Sequence, residues 1–407
     1  MHCFLKYILL FVLTVVSLRA VAQNEESMDA GTDDAAVVGE SAVKKPIRVA
    51  LLTCTAGNVL YSKFGHTALL VWKDGEKDGT VCNYGCFNYN ADNFVMNFLL
   101  GHTDYILDAE PYSYFVRRYR DMGMGVYGQE LNLSEQEIDR LVQLLNENLL
   151  PGNQAYRYNW LYNNCTEKAR DVVEIAVDGD VQYGKVETDI TVREMLRECL
   201  KNDPWKSFGV DMILGEEIDR PTSSRTRMFL PEQYKNGVDG AMRQGVPFVK
   251  STRQIIEAKN VAATPSFLLS PAFVFGMLLI VICIISVYEY HRRQNYVFLD
   301  VLLHTLQGLA GLLVAFLFFF SEHPAVDSNW LVIIFNPVPL FYAAWLVYCK
   351  TTKRNNILAY INLCVLAGFF ITMMICRQSF NIAMYFIVLN LLTRAVAQSY
   401  NAYRKIR

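Results

Sequence analysis

The sequence predicts an α+β domain outside a membrane, followed by an all-α bundle of transmembrane helices. Three observations carry this prediction: a secretory type of N-terminus, a middle region that mixes strand and helix patterns, and five long apolar stretches in the last third. The composition agrees with it, because 52% of the 407 residues are hydrophobic and 19% are charged. Soluble domains typically carry about 25% charged residues.

The first 22 residues have the features of a cleaved signal peptide. Lys6 is the only Lys, Arg, Asp or Glu ahead of an apolar run at 7–18, and small residues at 20–22 form a cleavage site before Gln23. An uncleaved anchor is the alternative. Residues 23–45 are acidic and lack apolar periodicity, which predicts a disordered leader.

An exported α+β domain is predicted over 46–255. Short apolar runs at 48–55, 67–72 and 80–84 are typical of buried strands. Helices are predicted from three start signals, which are a capping box at 134–137, a polar Asn164 before an amphipathic segment, and an apolar pattern from Val192.

A transmembrane domain of about five helices is predicted over 264–400. The apolar stretches that define it are 267–288, 298–320, 330–349, 357–375 and 379–398. Arg394 lies inside the last stretch, and we expect its side chain to extend toward the membrane surface.

The charges of the loops predict the orientation. Basic residues follow the first, third and fifth stretches, at 291–293, 350–354 and in the tail 401–407, whereas the loop at 321–329 has no Lys or Arg. Positive charge marks the cytoplasmic side. We therefore expect a multi-pass inner-membrane protein with its N-terminal domain in the periplasm.

Net charge and cysteine content exclude some function classes. A formal net charge of -2 gives no basis for nucleic-acid binding. Cys82 and Cys86 could supply two ligands to a metal ion, but the sequence offers no second pair of ligands. We therefore predict no metal, and we also predict no cofactor. The exported domain has five of the ten cysteines. In an oxidising compartment, these five would fit two local disulfides and one free thiol.

One cysteine has the surroundings of a nucleophile. Cys165 follows Asn163 and Asn164 at the predicted start of a helix, where the helix dipole favours the thiolate. A nucleophilic thiol also needs a base. Three of the six histidines lie on the exported side, and they are His66, His102 and His323. His66 lies at the start of a predicted strand. A small buried cysteine or half of a disulfide is the alternative interpretation of Cys165.

A Cys–His pair also needs a group that orients the imidazole. Asn83 and Tyr84 on the next predicted strand are candidates, and an uncertainty of one residue in the strand phase leaves the choice open. Ser62 and Asn163 are further possibilities for this role. We expect Ser62, Asn163 and Asn164 to contact substrate.

Several spaced motifs carry a family resemblance. They are FGHTA at 64–68, NYG at 83–85, LNLS at 131–134, YRYN at 156–159, NCT at 164–166 and MFLP at 228–231. Their order resembles the exported domain of the Bacteroides-type lipoprotein N-acyltransferase family, Lnb, over about 45–255. The resemblance implies a circularly permuted papain-like (NlpC-type) fold, with Cys165 as nucleophile and His66 as base.

The same resemblance implies a two-step acyl transfer. An acyl chain would move from a membrane phospholipid to Cys165 as a thioester, and then to the α-amine of a diacylglyceryl-cysteine lipoprotein. Two other functions remain open on the residues alone. One is a membrane-anchored papain-like cell-wall peptidase or amidase, and the other is a non-enzymatic membrane assembly protein with Cys165 in a disulfide.

Overall fold

The computed structural model describes residues 46–76, 78–87, 93–184, 190–259 and 265–405. The predicted signal peptide and acidic leader therefore lie outside the described residues. The strands of the described part are β1 (Ile47–Cys54), β2 (His66–Lys73), β3 (Thr80–Cys86), β4 (Asp104–Pro111), β5 (Val126–Leu131), β6 (Ala155–Arg157), β7 (Met242–Arg243), β8 (Val246–Pro247) and β9 (Val249–Ile256). Seven of these strands form one antiparallel sheet in the order β6-β4-β3-β2-β1-β5-β9.

The helices of the sheet-containing domain are α1 (Phe94–Leu100), α2 (Tyr112–Asp121), α3 (Glu135–Leu149), α4 (Cys165–Ala176), α5 (Val192–Cys199), α6 (Pro204–Ile213), α7 (Ser224–Arg227) and α8 (Pro231–Asp239). The three predicted helix starts are confirmed. At the first, the Glu137 carboxylate accepts from the Ser134 N–H at 2.7 Å, and the Ser134 hydroxyl accepts from the Glu137 N–H at 3.3 Å. This capping box begins α3 because it satisfies two backbone donors that have no partner inside the helix.

Both faces of the sheet are covered. Val49 and Leu51 belong to a core with residues of α3, α4 and α8, while their neighbours Ala50 and Leu52 belong to a core with residues of α2. This alternation follows from the two-residue period of a strand. An antiparallel sheet with helices on both faces fits the α+β prediction. The permuted papain-like description also fits this arrangement and stays a prediction.

The cysteines of this domain pack as apolar side chains. All nine cysteines in the described part of the chain are free thiols, so the prediction of two disulfides is wrong there. Cys54 and Cys82 are both buried, but they lie in cores on opposite faces of the sheet. Two thiols separated by a sheet cannot reach disulfide distance.

The described residues contain five helices that are long and apolar enough to cross a membrane. They are α9 (Pro271–Arg292), α10 (Val297–Phe320), α11 (Val338–Thr351, preceded by a 3-10 turn at Trp330–Ile333), α12 (Leu358–Ile375) and α13 (Ile382–Arg404). Each of them overlaps one of the five predicted stretches, and the first and last helices extend past the predicted ends at 288 and 398. The domain boundaries at 255 and 264 stay predictions, because 260–264 lies outside the described residues.

Arg394 lies in the interior of the helical bundle. Its guanidinium donates to Asp300 at 2.7 Å and to Glu289 at 3.2 Å, and it has no solvent exposure. The expectation that this side chain extends to the membrane surface is therefore wrong. Two carboxylates from neighbouring helices balance its charge inside the bundle, where an unpaired charge would be costly.

The sheet-containing domain packs directly on the membrane helices. Leu161 and Phe229 share an apolar core with Leu317 near the end of α10. Gly215 lies so close to the backbone of Ser328 that a Cβ atom would come within 2.2 Å of the Ser328 carbonyl carbon. This contact between an irregular segment of one domain and a loop of the other holds the two domains in a defined arrangement.

Candidate active site

Asn164 determines where Cys165 lies. As the N-cap of α4, its side-chain oxygen accepts from the backbone N–H groups of Thr166 at 2.8 Å and Glu167 at 3.1 Å. Its amide nitrogen donates to two backbone carbonyls, so this buried side chain is fully engaged. Cys165 is thereby held as the first residue of the helix, where the positive end of the dipole favours a negative charge.

The strand β2 brings His66 to this helix start. The hydroxyl of Thr67 lies 3.1 Å from the hydroxyl of Thr166, which joins β2 to the first turn of α4. The Thr67 backbone N–H and the His66 side chain both lie close enough to the Cys165 side chain to lower the pKa of its thiol. The structure therefore brings together the two residues that the sequence selected from distant parts of the domain.

Their mutual contact shifts both pKa values toward the ionised pair. Burial raises the pKa of the Cys165 thiol, but the His66 charge, its hydrogen bond and the Thr67 N–H hold the pKa below its ordinary value. Burial lowers the pKa of His66, and the Cys165 charge and hydrogen bonds raise that pKa above its ordinary value. Both shifts favour a thiolate beside an imidazolium.

Asn83 lies behind the imidazole. Its side-chain oxygen is 3.2 Å from His66 Nε2, and its amide nitrogen donates to Glu110 at 2.8 Å. Because the amide nitrogen faces the carboxylate, the amide oxygen faces His66, and Nε2 carries the proton that it accepts. The other ring nitrogen is then the one available to Cys165.

Glu110 extends this chain of contacts. It pairs with the guanidinium of Arg118 on α2, so a continuous line runs from His66 through Asn83 to a fixed positive charge. Sequence reasoning missed Glu110 and the role of Arg118, because neither lies in a motif with a mechanistic meaning. Side chains alternate between the two faces along β4, and β4 pairs with β3. Glu110 therefore lies on the same face of the sheet as Asn83.

Tyr84 lies on the opposite face of β3 from Asn83. Its ring is buried in the core beneath α3, where the Tyr84 hydroxyl accepts from Asn148 at 2.8 Å. Consecutive residues of a strand point to opposite faces, so only one of the two candidates can face His66. The described contact with His66 belongs to Asn83.

Ser62 and Asn163 bond to nearby backbone. The Ser62 hydroxyl donates to the Val59 carbonyl at 3.0 Å, and the Asn163 amide donates to the Arg157 carbonyl at 2.7 Å. These bonds shape the loops on either side of His66 and Cys165. That Ser62, Asn163 and Asn164 contact substrate stays a prediction.

The other two exported histidines lie at a different place. His102 Nε2 is 3.1 Å from Glu322, and His323 Nε2 contacts the Phe98 carbonyl. These contacts join α1 and the turn after it to the loop after α10. In the part of the chain that the structure describes, no group of three or more His, Cys, Asp or Glu side chains is placed to hold a metal ion.

Gly85 lets strand β3 pass close to the nucleophile. It lies where the β3–β4 register shifts, with a φ of 90° that favours glycine. A Cβ atom at this position would lie 3.3 Å from the Cys165 Cβ and 3.8 Å from the Tyr156 hydroxyl. A side chain at residue 85 would crowd Cys165, so glycine allows β3 to approach the nucleophile this closely.

Comparison with known families decides the affiliation of the chain. The model of the Lnb N-terminal periplasmic domain matches residues 40–198, and the model of the Lnb transmembrane domain matches residues 263–406. The chain belongs to the Lnb family. Lnb domains are those of membrane enzymes of lipoprotein N-acylation, and they confirm the inner-membrane, multi-pass topology with the N-terminal domain in the periplasm. No curated protein and no solved structure was found to match the chain.

The candidate site lies wholly within the first Lnb match. His66, Asn83 and Cys165 all fall within 40–198, together with the strands β1 to β6 and the helix α4. The segment 199–262 lies between the two Lnb matches. It includes Gly215 and Phe229, which contact the membrane domain and so connect the two Lnb units in space.

Proposed function

We propose that this chain is a lipoprotein N-acyltransferase that works through a thioester on Cys165. The acyl donor is a membrane phospholipid, and the acceptor is the α-amine of a diacylglyceryl-cysteine lipoprotein. The observation that carries the proposal is the Cys165–His66 contact, with both pKa values shifted toward the ion pair. Membership of the Lnb family supports the substrate class.

In the first half-reaction the Cys165 thiolate attacks an ester carbonyl of the phospholipid. The sulfur–carbon bond forms while the carbonyl electron pair moves onto oxygen. When this tetrahedral intermediate collapses, the ester carbon–oxygen bond breaks and the leaving alkoxide takes the proton from His66. The products are a lysophospholipid and an acyl-thioester on Cys165.

In the second half-reaction the α-amine of the lipoprotein attacks the thioester carbonyl. His66, now neutral, accepts the proton that the amine loses. Collapse of the second tetrahedral intermediate breaks the carbon–sulfur bond, releases the amide product and returns the thiolate. The ion pair of Cys165 and His66 is then restored for another cycle.

The short path from the nucleophile to the membrane helices supports lipid substrates. Asn164, the cap before Cys165, donates to the Phe229 carbonyl at 3.0 Å, and Phe229 packs in the same core as Leu317 of α10. An enzyme remote from the bilayer would have to expose acyl chains to water, at about 0.8 kcal/mol per CH₂. A cell-wall peptidase has no such need for contact with several membrane helices.

The free state of Cys165 supports thiol chemistry over an assembly role. An assembly protein that uses Cys165 as half of a disulfide requires a second cysteine in contact with it. Within the described residues Cys165 is a free thiol whose side chain contacts His66.

The test is mass spectrometry of lipoprotein N-termini from cells that carry this chain as their sole enzyme of the type. We expect triacylated N-termini with the wild type and only diacylated N-termini with Cys165→Ala. His102→Ala is the matched control, because His102 contacts Glu322 away from the site, and it should retain the triacylated product.

Persistence of triacylated N-termini with Cys165→Ala would contradict the proposal. Cell-wall peptides should be measured in the same strains. A change in those peptides, with unaltered lipoproteins, would support the peptidase instead.

A further inference from the structure

The hydroxyl of Tyr156 is buried beside the candidate site without a hydrogen-bond partner. Tyr156 lies in β6, where its backbone pairs with Tyr105 of β4. Within the described residues, no donor or acceptor satisfies its hydroxyl oxygen. Buried hydroxyl groups normally have a partner, so one that lacks a partner at a reactive site indicates a place where a ligand atom binds.

The Tyr156 hydroxyl and the nucleophile lie beside the same residue, Gly85. The position that a Gly85 Cβ atom would occupy lies 3.3 Å from the Cys165 Cβ and 3.8 Å from the Tyr156 hydroxyl oxygen. Both groups therefore lie within 4 Å of one point, and a carbonyl group that bonds to the Cys165 sulfur would lie near the tyrosine hydroxyl.

Neighbouring groups hold the Tyr156 ring in this orientation. The Tyr84 ring packs edge-on against it with 6.1 Å between centroids, and the Lys168 ammonium lies 4.9 Å from its centroid. Donors that are held in place before the reaction need no reorganisation when charge develops. Burial, and then the charge of Cys165, raise the pKa of the Tyr156 hydroxyl far above its ordinary value, so it remains a donor.

We propose that Tyr156 is a catalytic residue that donates its O–H to the oxyanion formed when Cys165 attacks an acyl carbonyl. This role rests on the proposed acyl transfer for the identity of the reaction. The proton stays on Tyr156 throughout. The carbonyl electron pair moves onto oxygen as the sulfur–carbon bond forms, and it returns to the carbonyl when the leaving group departs. Both half-reactions pass through such an oxyanion, so both should depend on Tyr156.

The experiment compares Tyr156→Phe with Tyr183→Phe in the full-length protein in detergent micelles. Tyr183 is the matched control, because its hydroxyl donates to Glu174 at 2.7 Å, far along α4 from Cys165. Two acyl donors are used, p-nitrophenyl butyrate and phosphatidylethanolamine, and thioester formation on Cys165 is followed by single-turnover kinetics and intact mass. The rate of alkylation of Cys165 by iodoacetamide is measured in parallel, because that displacement forms no oxyanion.

We expect Tyr156→Phe to slow thioester formation about 100- to 1000-fold, mainly in kcat, while alkylation stays within about twofold. Tyr183→Phe should leave both rates within about threefold. Thioester formation within threefold of the wild type in Tyr156→Phe would overturn the proposal. An equal loss of acylation and alkylation would also overturn it, since that pattern means a displaced thiolate.

The two donors separate this proposal from the proposed function. If the wild type takes an acyl group from p-nitrophenyl butyrate but not from phosphatidylethanolamine, the proposed donor is wrong. The Tyr156→Phe rate on the ester then still decides the role of Tyr156. A wild type that forms no thioester with either donor would overturn both proposals.

Discussion

The chain has two buried charged clusters, one inside the bundle of membrane helices and one in the periplasmic domain, and they differ in how many of their hydrogen-bond donors have partners. The cluster of Arg394 with Glu289 and Asp300 lies toward the cytoplasmic ends of α9 and α10, and each guanidinium nitrogen has a side-chain acceptor. The cluster of Cys165 and His66 has a half-buried nucleophile and the unpartnered Tyr156 hydroxyl beside it. A cluster with every donor paired stabilises the fold, whereas a cluster with a spare donor beside a nucleophile can bind a substrate.

The two clusters also differ in what their protons can do. A guanidinium does not lose its proton in a protein, so Arg394 acts only as a fixed charge. Imidazole and thiol exchange a proton near neutral pH when their pKa values approach each other. The first cluster is therefore suited to joining helices and the second to proton transfer.

The largest expected effect is that of His66→Ala, which should slow thioester formation about 1000- to 10,000-fold. Without the charge and hydrogen bond of His66, less remains to offset burial, and the pKa of the Cys165 thiol should rise. The pH at which iodoacetamide alkylation of Cys165 reaches half its maximum should then move upward. An unchanged midpoint would show that His66 does not stabilise the thiolate.

Arg394→Ala should destabilise the protein by about 3–5 kcal/mol, because it leaves two buried carboxylates without their counter-charge. The measurement is unfolding of the detergent-solubilised protein, with single-turnover acylation per folded molecule as the second readout. The triple variant Arg394→Met, Glu289→Gln, Asp300→Asn is the control, since it removes all the charges and should regain stability. Lost acylation in a fully stable Arg394→Ala protein would contradict the structural role.

Asn83→Ala should slow thioester formation about 10- to 100-fold, because the imidazole loses a hydrogen bond worth about 1–3 kcal/mol. Tyr84→Phe should change the rate less than about threefold, since its hydroxyl bonds to Asn148 on the other face of β3. Single-turnover kinetics of the two variants decide which strand residue orients His66. A larger loss in Tyr84→Phe than in Asn83→Ala would reverse the assignment.

Thr67→Val should have the smallest effect, a loss of about 1 kcal/mol of stability from its bond to Thr166. The alkylation midpoint of Cys165 should not move, because the backbone N–H of residue 67 still donates to the sulfur. Denaturant unfolding and the alkylation pH profile check the two parts. A shifted midpoint would mean that the hydroxyl, too, acts on the thiolate.

Local patterns in the sequence are sufficient to predict the membrane helices and the starts of several helices in the exported domain. Five long apolar stretches and the basic loops between them predict the membrane helices, because span length and loop charge are properties of short segments. The capping signals of Ser134 and Asn164 predict where α3 and α4 begin, since a cap acts within one turn. The position of Cys165 at a helix start is therefore readable from its immediate neighbours.

The partners of these residues depend on contacts between distant segments. The pattern of β3 shows that Asn83 and Tyr84 face opposite ways, but the packing of α3 and α2 against the sheet determines which of them faces His66. Pairing of β4 with β3 and β6 brings Glu110 and Tyr156 to the site. Bundle packing gives Arg394 its carboxylates, and the separation of Cys54 from Cys82 by the sheet prevents a disulfide. Each of these contacts depends on strand order, strand register and helix packing. The free energy of the whole chain determines these features, so no single segment of the sequence predicts them.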